Sequence, residues 1–411
     1  MAVVKPFAGA RPKKEYAARV AALPYDVMNT AEAAERAAKN DLTFLRVDRA
    51  EIDFPAGQNP YAPEVYAKAA ENLNAYLENG VSLREETPRF YIYRQQMGKT
   101  VQTGVVGCAD VDDYLNGVIK RHELTRADKE EDRIRHVDAC NANTGPIFLA
   151  YRGSKALKTI VDKYTACAPE YDFVSEGDVK NTVWLVDPAD NDAIEQAFAG
   201  IPYLYIADGH HRCASAVKVA LKRRAQNPGY TGTEEFNRFL AVFFDASELK
   251  ILDYNRLIKD TNGLTDAEMF AKLGEHFTLA PEAAPVSPAK RHEFGMYYKD
   301  QWYRMALKDG VADETDAVAS LDVSILQKLV NEPIFGIGDP RTDQRIDFVG
   351  GIRGLAELEK RCREDMTLAF SMHPTSMEEL MAIADAGQIM PPKSTWFEPK
   401  LLSGLFIHFL G

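Results

Sequence analysis

The chain has 411 residues, of which 46% are hydrophobic, and a formal net charge of −12 from 61 acidic and 49 basic residues. This length exceeds the size at which one core usually stops growing, so the sequence predicts two or three domains. Binding of nucleic acid depends largely on phosphate neutralisation by Lys and Arg. An acidic chain without a basic tract therefore argues against nucleic acid as a partner.

The sequence also gives no indication of a membrane or of an oxidising compartment. No apolar stretch approaches the roughly 18 residues that a membrane span requires. Residues 1–19 are charged and contain two prolines, unlike a secretory signal. The five cysteines lie far apart without a CxxC pair, so neither a disulfide framework nor a zinc knuckle is predicted. We therefore expect a cytoplasmic protein that recognises small molecules, and the sequence is also compatible with a homo-oligomer.

The elements predicted for the first half mix helices with strands. Asn29 and Thr30 are capping residues for a short helix that ends near Asn40, whereas residues 43–47 are predicted as a strand. An amphipathic helix with Gly80 after it is predicted next. This helix covers residues 61–79, and a hairpin with strands at 89–94 and 100–111 then turns through Met97-Gly98-Lys99. The strand 146–151, the helix from 154, the strand 182–187 and the helix 190–199 are predicted after it.

The second half continues this alternation less regularly. A strand is predicted at 239–245, and a Pro/Ala-rich stretch at 280–289 is predicted as a loop or linker. Further predicted ranges are the hairpin 296–307, the helix 321–330, the strand 345–349, the helix 355–363 and the strand 367–371. Strands that alternate with helices predict an α/β or mixed α+β fold with a mixed sheet. We expect an α/β core with insertions in residues 1–262 and an α+β domain in residues 263–411, whose segment 390–404 returns to the site.

The most informative stretch is Asp208-Gly-His-His-Arg212, which joins a buried strand to an Ala/Val/Leu-rich helix. A helix N-terminus offers free backbone N–H groups and roughly half a positive charge. Gly209 lets a ligand approach the backbone closely. His210 is the first residue of the predicted helix, and His211 and Arg212 add hydrogen-bond donors in its first turn. These features favour a phosphate site. The alternative is an ordinary strand–helix turn capped by Asp208.

A second stretch, residues 120–136, is densely charged. It holds the polar pair His122 and Glu123, in which Glu123 is a candidate general base. The spacings of seven and three between Arg126, Arg133 and His136 predict a shared helical face that would suit a phosphate. A solvated surface helix with ion pairs is the alternative interpretation.

No metal site is predicted with certainty. The sequence has no HExxH motif, and the histidines of the two stretches lack a recognised zinc spacing. Mg²⁺ brought by a nucleotide needs only one or two carboxylates, such as Asp208 or Glu123.

A third stretch near the end places Lys393, Ser394 and Thr395 directly after two prolines. These residues supply several donors to an anion, although no GxxxxGK loop precedes them. An ordinary turn that leads to a last strand at 405–410 is the alternative.

The three stretches together resemble the proteins grouped as domain-of-unknown-function family 1015, over nearly the whole chain. The motifs that carry the resemblance are, in chain order, Lys5-Pro-Phe-Ala-Gly-Ala-Arg-Pro12, Pro24-Tyr-Asp-Val27, Arg121-His-Glu-Leu-Thr-Arg126, Asp132-Arg133, Ala207-Asp-Gly-His-His-Arg212, Met390-Pro-Pro-Lys-Ser-Thr395 and Pro399-Lys400.

The turn after Asp208 also resembles the nucleotide loop of the ParB/sulfiredoxin superfamily, in which Gly-x-x-Arg at a helix start cradles nucleotide phosphates. Ser215 departs from the ParB pattern, which expects alanine there. The resemblance implies a ParB/sulfiredoxin-like nucleotide-binding core. Within that superfamily, free-serine kinases use the loop to move a phosphoryl group between a nucleotide and serine.

This resemblance implies a phosphotransferase that uses ATP or ADP with Mg²⁺ and a small hydroxyl metabolite, with serine or phosphoserine as the first choice. The alternatives are a non-catalytic nucleotide-binding regulatory module and a phosphate-ester hydrolase such as a phosphoserine phosphatase. The catalytic candidates are Glu123, Asp208, His122 and Asp26. The phosphate-binding candidates are Gly209, His210, His211, Arg212, Arg126, Arg133, Lys393, Ser394 and Thr395.

Overall fold

The computed structural model describes residues 1–411 and contains two compact units. The first comprises Met1–Leu249 with Pro399–Gly411, and the second comprises Lys250–Glu398. The helices are α1 Ala17–Val20, α2 Thr30–Lys39, α3 Leu45–Asp48, α4 Pro63–Glu78, α5 Val111–Leu115, α6 Ala127–Cys140, α7 Lys155–Thr165, α8 Asn191–Ala199, α9 His210–Gln226, α10 Asp266–His276, α11 Asp322–Leu326, α12 Leu355–Glu364 and α13 Met377–Asp385. None of them combines the length and the apolar character of a membrane-spanning segment.

The strands are mostly short, and the longest of them pair in the first unit. In chain order they are β1 Val4–Lys5, β2 Ala10–Pro12, β3 Ser82–Arg84, β4 Tyr91–Met97, β5 Thr100–Asp110, β6 Ile119–Lys120, β7 Ala142–Asn143, β8 Ile147–Tyr151, β9 Tyr171–Ser175, β10 Val179–Leu185, β11 Leu204–Asp208, β12 Arg238–Asp245, β13 Ile251–Leu252, β14 Tyr254–Ile258, β15 Phe277–Glu282, β16 Glu293–Tyr298, β17 Gln301–Leu307, β18 Ile346–Gly350, β19 Leu368–Met372, β20 Trp396–Phe397 and β21 His408–Phe409.

The first unit is built on a nine-stranded mixed sheet in the order β6-β11-β8-β12-β5-β4-β10-β9, with β1 paired to β5. The pairs β6–β11 and β8–β12 are parallel, and the other pairs are antiparallel. Apolar side chains of the central strands and of helices α7 to α9 form its main core. The mixed sheet with its flanking helices confirms the predicted α/β, mixed α+β fold class.

Local sequence signals located several elements of this unit correctly. Asn29 caps α2 in a capping box with Glu32, and Ser154 caps α7. Gly80, after the end of α4, has a φ of 67°, and Gly98 in the β4–β5 hairpin has a φ of 56°. Positive φ values are accessible to glycine without a Cβ clash, which is why both turns occur where the sequence predicted them.

Two of the predicted elements were wrong in part or in full. Residues 43–47 were predicted as a strand, but the last three of them lie in α3. Phe44, just before this helix, and Leu45 and Val47 within it are buried in one cluster with residues of α4. A short apolar run does not distinguish a buried strand from a buried helical turn, and here the contact with α4 decides. At the chain end, His408–Phe409 of the predicted strand 405–410 pair with β7, and Ile407 forms an isolated antiparallel bridge with Ala10.

The second unit contains an antiparallel six-stranded sheet in the order β15-β17-β16-β19-β14-β18. Residues 280–282, predicted as part of a loop, extend β15 and pair with β17. Strand β14 pairs with β18 and β19, so residues 250–262 belong to this unit, whereas the sequence placed the boundary after residue 262. Of the predicted returning segment 390–404, residues 399–404 belong to the first unit.

Candidate functional site

The turn between β11 and α9 has the geometry that its sequence predicted. Gly209 is the N-cap residue of α9 and has a φ of 89°. A Cβ at this position would lie only 3.2 Å from Nε of Arg212, and a side chain would also strain the backbone. The first intrahelical bond runs from the N–H of Cys213 to the carbonyl of Gly209. The preceding N–H groups of the first turn therefore have no intrahelical acceptor, as an anion-binding helix start requires.

Asp208 sits beneath this turn between two cationic side chains. Its Oδ1 accepts the N–H of Gly209 at 2.9 Å, and its Oδ2 lies 3.2 Å from Nζ of Lys400 and 4.0 Å from Nη2 of Arg212. Burial opposes ionisation, but the charges of Lys400 and Arg212 outweigh it and lower the pKa of Asp208 to about 2. The carboxylate is therefore ionised at neutral pH, and so low a pKa makes it a weak base.

Two buried glutamines hold the backbone that delivers Lys400. Nε2 of Gln95, on β4, donates to the carbonyl of Lys400 at 3.0 Å. Nε2 of Gln102, on β5, donates to the carbonyl of Pro399 at 3.3 Å and to Oε1 of Gln95 at 3.0 Å. Gln95 and Gln102 are at most 1% exposed, so these hydrogen bonds to residues 399–400 are shielded from water. The sheet thereby fixes the residue that neutralises Asp208.

Arg212 and Arg133 line one small cavity of about 30 Å³. The guanidinium of Arg133 lies 4.0 Å from the ring centroid of Tyr25 and 2.8 Å from a carboxylate oxygen of Asp132. Arg212 donates through Nη1 to the carbonyl of Pro146, while its buried Nε has no hydrogen-bond partner. The cavity thus brings together two guanidinium groups from α6 and α9.

Sequence reasoning missed residues 143–145 of this cavity, whereas residue 403 belongs to the segment that was predicted to return to the site. Thr144, Gly145 and Ser403 line the cavity, and a Cβ on Gly145 would come 2.9 Å from Oγ of Ser403. A Ser-Gly pair was visible at residues 403–404, but it resembles many ordinary turns. Only the approach of residues 143–146 to the chain end places it here.

Arg133 and His136 line one cavity, but Arg126 is not among its lining residues, which corrects part of the prediction from their spacing. Arg126 precedes α6 and is exposed, with its side chain paired to Asp128 at 2.8 Å. Arg133 and His136 are buried, and Nε2 of His136 lies 2.9 Å from the carbonyl oxygen of Val47. The helix begins one residue after Arg126, so helical spacing does not extend to that side chain.

The backbone of Arg126, by contrast, does contact the turn. Its N–H donates to Nε2 of His211 at 3.0 Å. Because a backbone N–H can only donate, Nε2 is unprotonated and the neutral ring carries its proton on Nδ1. Burial also lowers the pKa of His211, although the nearby charge of Asp26 opposes this. His211 is therefore neutral and oriented by the segment before α6.

His122, Glu123 and His210 form a cluster that the sequence did not predict. The rings of His122 and His210 are 4.5 Å apart at 88°, and Nδ1 of His210 lies 3.8 Å from Oε2 of Glu123. Burial lowers the pKa of His122 to about 4 and that of His210 well below its usual range, so both rings are neutral. The parallel pairing of Lys120 with Tyr205 places residues 122–123 beside the end of β11. No local pattern encodes that register.

The remaining site predictions fall in two other places. Asp26 lies in a 3₁₀ turn, Tyr25–Val27, and is exposed. Lys393, Ser394 and Thr395 belong to the second unit, in which the carbonyl of Lys393 accepts Nη2 of Arg256 at 3.0 Å. Oγ of Ser394 donates to the carbonyl of Pro391 at 2.6 Å. The anion-binding role of these three residues stays a prediction.

Comparison with known proteins identifies the family. The model of the family described as "Protein of unknown function (DUF1015)" matches residues 4–324, and the chain belongs to this family. This confirms the family that the sequence motifs indicated, for the motifs between residues 5 and 212, whereas those at 390–400 lie outside the matched residues. A search of curated proteins found no match to the chain.

Among the solved structures that match this chain are three with low sequence identity and a low TM-score. Free serine kinase in complex with AMP is 16% identical with a TM-score of 0.35, over 72% of this chain and 86% of that chain. C-terminally truncated SbnI from Staphylococcus aureus is 13% identical with a TM-score of 0.37, over 72% and 85%. A conserved hypothetical protein from Pyrococcus furiosus is 17% identical with a TM-score of 0.33, over 74% and 94%. TM-scores this low do not establish a shared activity.

Proposed function

We propose that this protein transfers a phosphoryl group between an adenine nucleotide and a small hydroxyl metabolite, with serine or phosphoserine as the first candidate. The observation that carries the proposal is the β11–α9 turn, in which free N–H groups after Gly209 lie beside the guanidinium of Arg212. The choice of an adenine nucleotide and of serine rests on the resemblance of this loop to the ParB/sulfiredoxin superfamily and its free-serine kinases.

In this proposal the phosphates of the nucleotide bind to the first turn of α9. The N–H groups of His210 and His211 and the side chain of Arg212 donate to phosphate oxygens. Arg133 lines the same cavity as Arg212 and adds positive charge. To bind a phosphate, the side chain of Arg126 would have to leave its exposed ion pair with Asp128. This exchange would cost little, because exposed ion pairs contribute little to stability. Charge-assisted hydrogen bonds contribute about 1.5–3 kcal/mol each, so the guanidinium of Arg212 is the largest single contact we assign.

Glu123 is the group that we assign to proton removal. Its side chain is 41% exposed, so substrate can reach it, and it lies beside the first residue of α9. Asp208 is a poorer base because its pKa is about 2. Its carboxylate is better suited to binding Mg²⁺ or to holding Lys400 in position. His122 is buried and 1% exposed, which leaves the exposed Asp26 as the remaining rival.

The proposed step needs positioning and charge neutralisation more than covalent chemistry. The oxygen of the acceptor hydroxyl forms a bond to the terminal phosphorus of the nucleotide, and the bond from that phosphorus to the bridging oxygen breaks. The hydroxyl proton passes to Glu123, and the leaving nucleotide carries the electron pair of the broken bond. Arg212 and Arg133 would stabilise the charge that spreads over the transferring group.

A phosphorus NMR time course tests the proposal. The purified full chain is incubated with Mg²⁺, L-serine and ATP or ADP, and in a second tube with phosphoserine and ADP or AMP. We expect phosphoserine in the first tube or a higher nucleotide in the second, with loss of either signal in Arg212→Ala and Glu123→Gln. Arg135→Ala, an exposed residue on α6 paired with Glu131, is the matched control and should keep the signal.

A third tube, with phosphoserine and Mg²⁺ but no nucleotide, separates the two alternatives from the proposal. Inorganic phosphate released from phosphoserine without nucleotide would indicate a phosphate-ester hydrolase. Inert tubes together with a melting temperature that rises with nucleotide would indicate a binding module without turnover. Inert tubes and no nucleotide effect would overturn the proposal.

A further inference from the structure

We propose that His122, Glu123 and His210 form a binding site for one divalent transition-metal ion. Each residue presents one ligand atom, and these atoms all lie within 4.8 Å of one another. The site is assembled from two segments, the turn after β6 and the first residue of α9, which the parallel pairing of β6 with β11 holds side by side.

The two imidazoles are buried, and three of their four ring nitrogens have no hydrogen-bond partner. His122 is 1% exposed and His210 is 6% exposed. Both ring nitrogens of His122 and Nε2 of His210 are without a hydrogen-bond partner. Leaving a buried polar atom unpaired is unfavourable, so three such atoms in one cluster require an explanation. A bound metal ion would accept lone pairs from both rings and remove part of this cost.

The chemistry of the donors selects the class of ion. Two imidazole nitrogens and one carboxylate oxygen suit Zn²⁺, Mn²⁺ or Fe²⁺, whereas Mg²⁺ prefers oxygen ligands alone. Metal–ligand bonds of about 2.0–2.2 Å bring the donors closer together than they are here. Glu123, with 41% of its side chain exposed, is the ligand that can adjust. The remaining positions of the ion would be open to water or substrate.

This inference does not rest on phosphoryl transfer. A bound ion would occupy the carboxylate that the proposed function assigns to proton removal, so metal binding is measured by itself. Mg²⁺ carried by a nucleotide is a separate ion and would not satisfy the two rings.

The test is a metal titration of the full chain. Protein stripped with a chelator is titrated with Zn²⁺ by calorimetry and with Co²⁺ by visible absorption, in the absence of nucleotide. We expect one ion per chain and a Co²⁺ spectrum of low-symmetry coordination with nitrogen ligands. His276→Ala, at the end of α10 in the second unit, is the control histidine and should bind like the wild type.

Three variants decide whether this cluster holds the ion. His122→Ala and His210→Ala should each weaken binding by more than the roughly 10–100-fold that follows when a residue that only orients a metal ligand is removed. Because both rings are buried, Glu123→Gln on the partly exposed ligand provides a variant that keeps the core intact, and it should weaken binding in the same direction. Wild-type protein without a stoichiometric ion, or variants that fold and bind with unchanged affinity, would overturn the proposal.

Discussion

The ammonium nitrogen of Lys400 lies 3.2 Å from Oδ2 of Asp208, although the two residues are 192 positions apart in the sequence. Asp208 ends the strand before the glycine turn, and Lys400 belongs to the final segment held by Gln95 and Gln102. The chain end therefore sets the charge state of the carboxylate beneath the proposed phosphate site.

Replacing Lys400 by Met should destabilise the folded chain and raise the pKa of Asp208. A hydrogen bond to a charged group contributes about 1.5–3 kcal/mol, and Arg212 remains as a partial partner, so we expect a loss near the lower figure. Urea unfolding at neutral pH measures it. Lys158→Met, in an exposed pair with Asp162, is the control and should leave the midpoint unchanged. Equal midpoints for both variants would contradict the assigned role of Lys400.

Replacing Arg212 by Ala should abolish the stabilisation of the folded chain by nucleotide. A ligand at a hundred times its dissociation constant contributes about 2.7 kcal/mol to the free energy of unfolding, which thermal melts with and without ADP detect. Arg212→Lys should recover only part of this effect, because an ammonium lacks the planar fork of a guanidinium. A full nucleotide shift in Arg212→Ala would remove this residue from the phosphate site.

Replacing Gly209 by Ala should reduce both stability and nucleotide affinity. At a φ of 89° a side chain is strained, and the new Cβ would lie about 3.2 Å from the Arg212 guanidinium. We expect a loss of about 1–3 kcal/mol. Gly274→Ala in α10, where a Cβ meets nothing within 4 Å, is the matched control and should stabilise by roughly 0.5–1 kcal/mol. The same sign of change in both variants would count against the strained-turn argument.

Asp113 should give the stability of the protein a distinct pH dependence. Burial raises its pKa to about 6, although its carboxylate accepts the N–H of Val3 at 2.6 Å. The folded state thus holds a proton that the unfolded chain, with a pKa of about 3.9, has released. The contribution of this carboxyl group to stability is full below about pH 4 and is lost as the pH rises through about 6.

Asp113→Asn should remove that dependence while keeping an acceptor for Val3. Between pH 4.5 and pH 7.5 the free energy of unfolding of the variant should rise relative to the wild type by about 2 kcal/mol, at 1.36 kcal/mol per pKa unit. Chemical unfolding at several pH values measures the difference. A difference that is constant with pH would show that this carboxyl group titrates normally.

Local signals in the sequence located many elements because their causes lie within a few residues. Capping boxes start α10 at Thr265 with Glu268 and α13 at Ser376 with Glu379, so even these two unpredicted helices carried a readable start. The strand expected at residues 43–47 failed for a different reason. Its side chains are buried either way, and only the contact with α4 makes the segment helical.

The candidate site also has one part that local sequence signals predict and another part that they do not. The amino-acid sequence was enough to predict the strand–glycine–helix turn at Asp208 to Arg212, because steric freedom at Gly209 and the start of α9 are local properties. It also determined the family, through motifs spread along the chain. The structure alone decided that Lys400 reaches Asp208, that Arg133 faces Arg212 while Arg126 does not, and that His122 and Glu123 lie beside His210. These contacts follow from strand register and from packing between segments far apart in the chain, and local periodicity carries no information about either.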